Sequence, residues 1–145
     1  MLDGILGRGF ASECKSLIKV IKSRIDVIRR KKSATLKFLK KDIADLLANG
    51  LDINAYGRVD GYIAELILSS CYDFVEKCCD LVSKHVSVMQ KLSDCPEDCR
   101  EAVSSLMFAA ARFSDLPELR DLRQIFHERY GNSLELLVNK QVNFQ

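Results

Sequence analysis

Tryptophan is absent from this 145-residue chain, and proline occurs only twice. Long stretches therefore run without a backbone breaker, which favours helices over a turn-rich sheet protein. Apolar runs are short. The longest, residues 106–111, falls far below the ~20 residues that a membrane-spanning helix needs. Residues 1–10 lack the basic stretch followed by an apolar stretch that marks a secretory signal, so the expectation is a cytosolic protein. Catalytic signatures are also missing: there is no Gly-x-x-x-x-Gly-Lys-Ser/Thr loop, no His-Glu-x-x-His pair and no nucleophile elbow. The glycines from Gly4 to Gly9 make no phosphate cradle, because no strand precedes them. Of the two histidines, His85 falls on an apolar line and reads as a satisfied core residue, while His127 reads as exposed. The chain is expected to be no enzyme and to carry no cofactor.

Six cysteines are present, but their spacing is not that of a metal site or a disulfide framework. Cys14, Cys71, Cys78 and Cys79 sit inside helical patterns, and Cys95 and Cys99 flank a turn without forming a Cys-x-x-Cys pair. They read as reduced thiols acting as small packing residues, with a metal site or a disulfide as the alternatives.

What the chain does have is helical periodicity. Ile18, Ile21, Ile25 and Ile28, then Leu36, Leu39, Ile43 and Leu46, step three and four residues apart. This spacing predicts one amphipathic helix over residues 11–49, roughly 60 Å long at 1.5 Å per residue. Asn49-Gly50 supplies its stop, with glycine able to take a left-handed conformation. A second helix of similar length is predicted over residues 53–92, its seam carried by Val59, Ile63, Leu66, Phe74, Cys78, Leu81, His85 and Val88. Gly57 and Gly61 each weaken it by about 1 kcal/mol relative to alanine, so that end is expected to fray or to be approached closely by another backbone. A link of a few residues forces the two helices into an antiparallel hairpin. Residues 94–97 and 115–118 both read Asp-x-Pro-Glu, which predicts two further helix starts with aspartate as the cap. The third helix carries Val103, Leu106, Met107 and Ala110. The fourth carries Leu119, Leu122, Phe126 and Tyr130, with a bend at Gly131 before Leu134, Leu137 and Val138.

A net charge of +2 conceals a strong asymmetry. Residues 11–41 hold eleven Lys and Arg against Glu13 and Asp26, whereas residues 42–101 hold twelve acids against five bases. Lys15, Lys19, Lys22, Arg29, Arg30, Lys31, Lys32, Lys37, Lys40 and Lys41 form a candidate basic surface for anionic lipid or an acidic partner, each worth about 1 kcal/mol near an anionic membrane. The competing reading is a solvated face that pairs with Asp73, Glu76 and Asp80 on the second helix. Nucleic acid is not the expected partner: the basic helix carries one aromatic, Phe38, and no recognition motif. At the N-terminus, Leu2, Ile5, Leu6 and Phe10 share a face if helical, but Gly4, Gly7 and Gly9 oppose a stable helix. Residues 1–10 are accordingly expected to be a flexible end, with shallow membrane insertion as the alternative, and residues 11–145 the domain.

Residues 108–131, FAAARFSDLPELRDLRQIFHERYG, join an Ala-rich helix end to Pro117-Glu118-Leu119 and close on Arg129-Tyr130-Gly131. That order resembles the increased-sodium-tolerance family, ESCRT-III-like regulators of the vacuolar-sorting AAA ATPase. The likeness extends over residues 10–41, 42–50, Arg58-Val59 with Ile63, and 102–112, and the Pro117-Glu118-Leu119 wording looks closer to plant and fungal members than to animal ones. Arg112, Asp115, Pro117, Glu118, Leu119, Arg129, Tyr130 and Gly131 are its motif positions. The resemblance implies an all-α ESCRT-III-like bundle, a long antiparallel hairpin with two shorter helices packed on it. It further implies a cytoplasmic protein, peripheral on endosomal membranes, that binds C-terminal helices of charged multivesicular body proteins, acts directly or indirectly on the ATPase in multivesicular-body sorting, and is able to self-associate. Members of the family continue into a further helix and a tail, so the chain is expected to be a fragment of the N-terminal domain or a shortened member.

Overall fold

The computed structural model describes residues 9–131 and Leu134. Among these residues the order is α1 (Gly9–Ala48), α2 (Asp52–Lys91), α3 (Glu97–Ala110) and α4 (Glu118–Tyr130), with no strand. The chain divides into two compact units, one of residues 1–24 with 75–145 and one of residues 25–74.

The Asn49-Gly50 stop works as its chemistry requires. Gly50 takes φ 73°, its N–H donates to Leu47 O at 3.1 Å, and the Leu51 N–H donates to Leu46 O at 2.9 Å. These two bonds satisfy carbonyls that the helix end leaves open. Within residues 25–74 the helices run antiparallel. Positions 42, 32 and 29 of α1 pair with positions 58, 65 and 73 of α2, one series falling as the other rises. Two helices cannot enclose a core, so Leu36, Leu39, Ile43, Leu46, Val59 and Tyr62 are only half-buried here. The other unit has four helical segments and a complete interior. Ile18, Ile21, Val82, Val86, Met89, Val103, Leu106, Leu116, Leu119, Leu122 and Phe126 are all at most 2% exposed.

The seam of α2 differs from the sequence reading. Its buried line runs Tyr72, Val75, Cys79, Val82, Val86 and Met89, in steps alternating three and four. Of the expected seam, Cys78 is buried, whereas Ile63, Leu66, Phe74 and Val88 are 41–54% exposed. The helix is apolar on more than one side, and spacing alone does not choose between two lines of the same period. Gly57 and Gly61 lie within the helix, and a Cβ added at either would meet nothing within 4 Å, so among the described residues the close approach, one of the two expected outcomes, is not found.

Two further differences concern helix starts. Neither aspartate takes the N-cap position: Pro96 and Pro117 occupy it, and neither helix has a side-chain bond from its cap residue. Both helices begin two residues later than the Asp-x-Pro-Glu pattern suggests, and their first turns bond back to the residues before them, Cys99 N–H to Pro96 O at 2.9 Å and Leu119 N–H to Leu116 O at 3.0 Å. At the other extreme α1 begins earlier, at Gly9, so Phe10 is helical rather than part of the preceding segment. Residues 1–8, Leu137 and Val138 lie outside the described residues.

Candidate functional site

In the first unit, the ends of three helices meet around Phe10. The Ala11 N–H donates to Gln90 Oε1 at 3.0 Å, filling one of the open donors at the start of α1. Arg129 Nη2 donates to the carbonyls of Met89, Gln90 and Leu92 at 3.0, 2.6 and 3.1 Å. A cation at the C-terminal end of α2 faces the negative end of the helix dipole. The same guanidinium lies 4.2 Å over the Phe10 ring, which also packs on Phe126 and Tyr130 at 6.4 and 6.3 Å between centroids. Burial pushes the Tyr130 hydroxyl up to about 12. Gly131 closes α4 at φ 69° and ψ −149°, a conformation open mainly to glycine, and its N–H donates to His127 O at 2.8 Å.

The remaining motif positions lie in the same unit. Glu118 accepts both arms of Arg24, Nε at 2.6 Å and Nη2 at 2.9 Å, and this bond holds its carboxyl below the ordinary range. Arg24 carries no motif, and its role was not legible before its partner's position was known. Leu119 is fully buried, and Asp115 and Pro117 lie in the turn before α4. Arg112 stacks 3.6 Å over Phe108. All six thiols are free, and only Cys71 is exposed. Burial pushes Cys14 and Cys79 up to about 12, which keeps them protonated and inert. His85 is half-buried, its Nδ1 2.9 Å from Leu81 O one turn back, and His127 is exposed.

The basic surface divides into paired and unpaired cations. Lys22 meets Asp80 at 2.5 Å, Arg29 meets Asp73 at 3.0 Å and Asp26 at 3.1 Å, and Lys32 meets Glu65 at 2.9 Å. Lys41 lies 3.9 Å from Asp45, with both side chains well exposed. Lys15, Lys19, Arg30, Lys31, Lys37 and Lys40 are exposed and form no ion pair among the described residues. The solvated-face reading thus accounts for part of the set and leaves six cations facing solvent. Within residues 25–74, Lys37 and Lys40 come together with Arg29 along a cleft of about 310 Å³, whose other walls are Ser33, Leu36, Tyr62 and Ser69. Isolated hydroxyl residues on helices carry no motif, so this grouping was hidden in the sequence. A second surface lies on α2, where Ile53, Tyr56, Ile63, Ile67 and Phe74 share one helical side and are 46–87% exposed. Among the described residues no group of side chains could hold a metal ion, and no helix is long and apolar enough to cross a membrane.

An antiparallel helical hairpin accompanied by two shorter helices defines the class: an ESCRT-III-like helical domain. The crystal structure of the S. cerevisiae Ist1 N-terminal domain in complex with a Did2 MIM motif matches it with a TM-score of 0.78 at 23% identity, over 92% of this chain and 73% of that one. The family model for Ist1, regulator of Vps4 activity in the MVB pathway, matches residues 15–144, and the chain belongs to that family. An IST1-like protein of Dictyostelium discoideum is 26% identical over 121 residues, 83% of this chain and 32% of that protein. The chain thus spans about a third of the length of that curated relative. The family is one of regulators rather than catalysts.

Proposed function

We propose that the chain is a non-enzymatic adaptor and assembly module in multivesicular-body sorting. It takes the C-terminal amphipathic helix of a charged multivesicular body protein into a groove of the bundle, and through that partner regulates the vacuolar-sorting AAA ATPase at endosomal membranes. The family match over residues 15–144 carries this reading. Support comes also from the likeness in fold to an Ist1 domain crystallised with a Did2 MIM motif.

Calorimetric titration with C-terminal helical peptides of charged multivesicular body proteins tests it. Saturable one-to-one binding, weakened when the apolar side of the peptide is scrambled, is the expected result. Absence of heat across the peptide set would remove the adaptor reading and leave the family likeness as a statement about fold.

The six cations without an ion pair favour a second reading, in which α1 binds an anionic membrane surface. Reversing the charge of Lys15, Lys19, Arg30 and Lys31 should abolish sedimentation with anionic vesicles in that case, and leave peptide binding intact in the first. Self-association is tested separately: a monomeric mass at high concentration in light scattering would count against it.

A further inference from the structure

The cleft in residues 25–74 has the chemistry of an anion site. Lys37 and Lys40 stand one turn apart on α1 and have no acid partner among the described residues. Arg29 stands two turns before Lys37, and Asp73 and Asp26 hold its guanidinium in place. Ser33 on α1, with Tyr62 and Ser69 on α2, also line the cleft. Among the described residues no carboxylate lines it, and its walls are more apolar than polar, with Leu36 between the cations. Its lining lies within helices, whose backbone donors and acceptors are already paired, so recognition there falls to side chains alone. Unpaired ammonium groups beside a mainly apolar lining suit a compact phosphorylated polyol, whose phosphates take the cations while its ring packs on the carbon surface. At about 310 Å³ the cleft is at the small end of ligand sites.

We propose that this cleft binds a phosphorylated polyol, with its phosphates on Lys37 and Lys40 and its ring hydroxyls among Ser33, Tyr62 and Ser69. Such a ligand occurs as a lipid headgroup or as a free sugar or inositol phosphate. An anion held there would be bound whether or not the bundle takes a partner helix. Nor does it need the wider basic surface of α1, because a specific cleft discriminates between anions of equal charge.

Calorimetry of the 145-residue chain with soluble inositol trisphosphate, at physiological salt, is the first arm. The second is sedimentation with phosphatidylcholine vesicles that carry a phosphoinositide, against vesicles carrying phosphatidylserine at matched charge. Saturable binding in the first arm alone identifies a soluble ligand. Preference for phosphoinositide over phosphatidylserine in the second identifies a headgroup. Lys37→Ala with Lys40→Ala should weaken either by roughly tenfold or more, whereas the charge-matched Lys77→Ala with Lys84→Ala, on exposed positions of α2 outside the cleft, should not. Tyr62→Phe should cost a few-fold at unchanged charge, and an unchanged helical circular dichroism spectrum shows that each variant is folded. Equal losses in the two lysine pairs, equal binding to the two vesicles without soluble binding, or no binding in either arm would each overturn the proposal.

Discussion

Arg129 joins three parts of the first unit, because a single guanidinium meets the last carbonyls of α2 and the ring of Phe10 together. Arg129→Ala should destabilise the protein by about 2 kcal/mol in chemical denaturation, from lost charge-assisted bonds and an uncapped helix end. Arg129→Lys should recover only part, since an ammonium lacks the planar fork. Glu118 offers a test of sign. Its folded carboxyl titrates below the ordinary value of 4.5 because Arg24 binds the charged form. The stabilisation is therefore complete above the unfolded value and is lost as pH falls through the lowered folded value. Melting temperatures of wild type and Glu118→Gln should differ at pH 7 and converge as the pH is taken below 4.5. A gap that persists at low pH would assign the effect to packing instead. The motif residues were visible in the sequence as a pattern, but their partners Arg24, Gln90 and Phe10 were not. Such pairings join residues 39–120 positions apart, and periodicity carries no information at that range.

At the level of elements, helix existence and helix ends follow from local chemistry. The apolar spacing and the Gly50 stop place α1 and the turn after it, and the buried line Ile18, Ile21 and Ile25 is the expected one. The face of α2 does not follow in this way. It carries one apolar line that is buried and another that is exposed, and only the packing partners distinguish them. Val82→Ala should therefore cost about 2 kcal/mol, while Ile67→Ala, at a position 60% exposed, should stay within about 0.5 kcal/mol. Equal costs in a denaturation series would return Ile67 to the core. The two Asp-x-Pro-Glu pieces announced that α3 and α4 exist but misplaced their caps. Proline itself takes the cap position, and Cys99 and Leu119 in the first turns bond back to Pro96 O and Leu116 O.

On the scale of the whole molecule, the two compact units differ in how fully they exclude water. The unit of residues 1–24 with 75–145 holds nearly all the fully buried side chains, while that of residues 25–74 has two helices and mainly half-buried contacts. Native-state hydrogen exchange should accordingly be slowest at Ile18, Ile21, Val82, Val86 and along α3, and faster between residues 30 and 70. Uniform protection would mean that the two units unfold as one. The sequence by itself determined an all-α chain, its four helices, its charge asymmetry and its family, because periodicity, breakers and ordered short motifs are local and survive reading in one dimension. Only the tertiary structure decided which face of α2 is buried, which cations are spent on acids, and that Arg29, Lys37 and Lys40 share a cleft with Tyr62 and Ser69. Those outcomes depend on which distant side chains reach one another across two helices, and helical spacing fixes directions along one helix without naming the residue opposite.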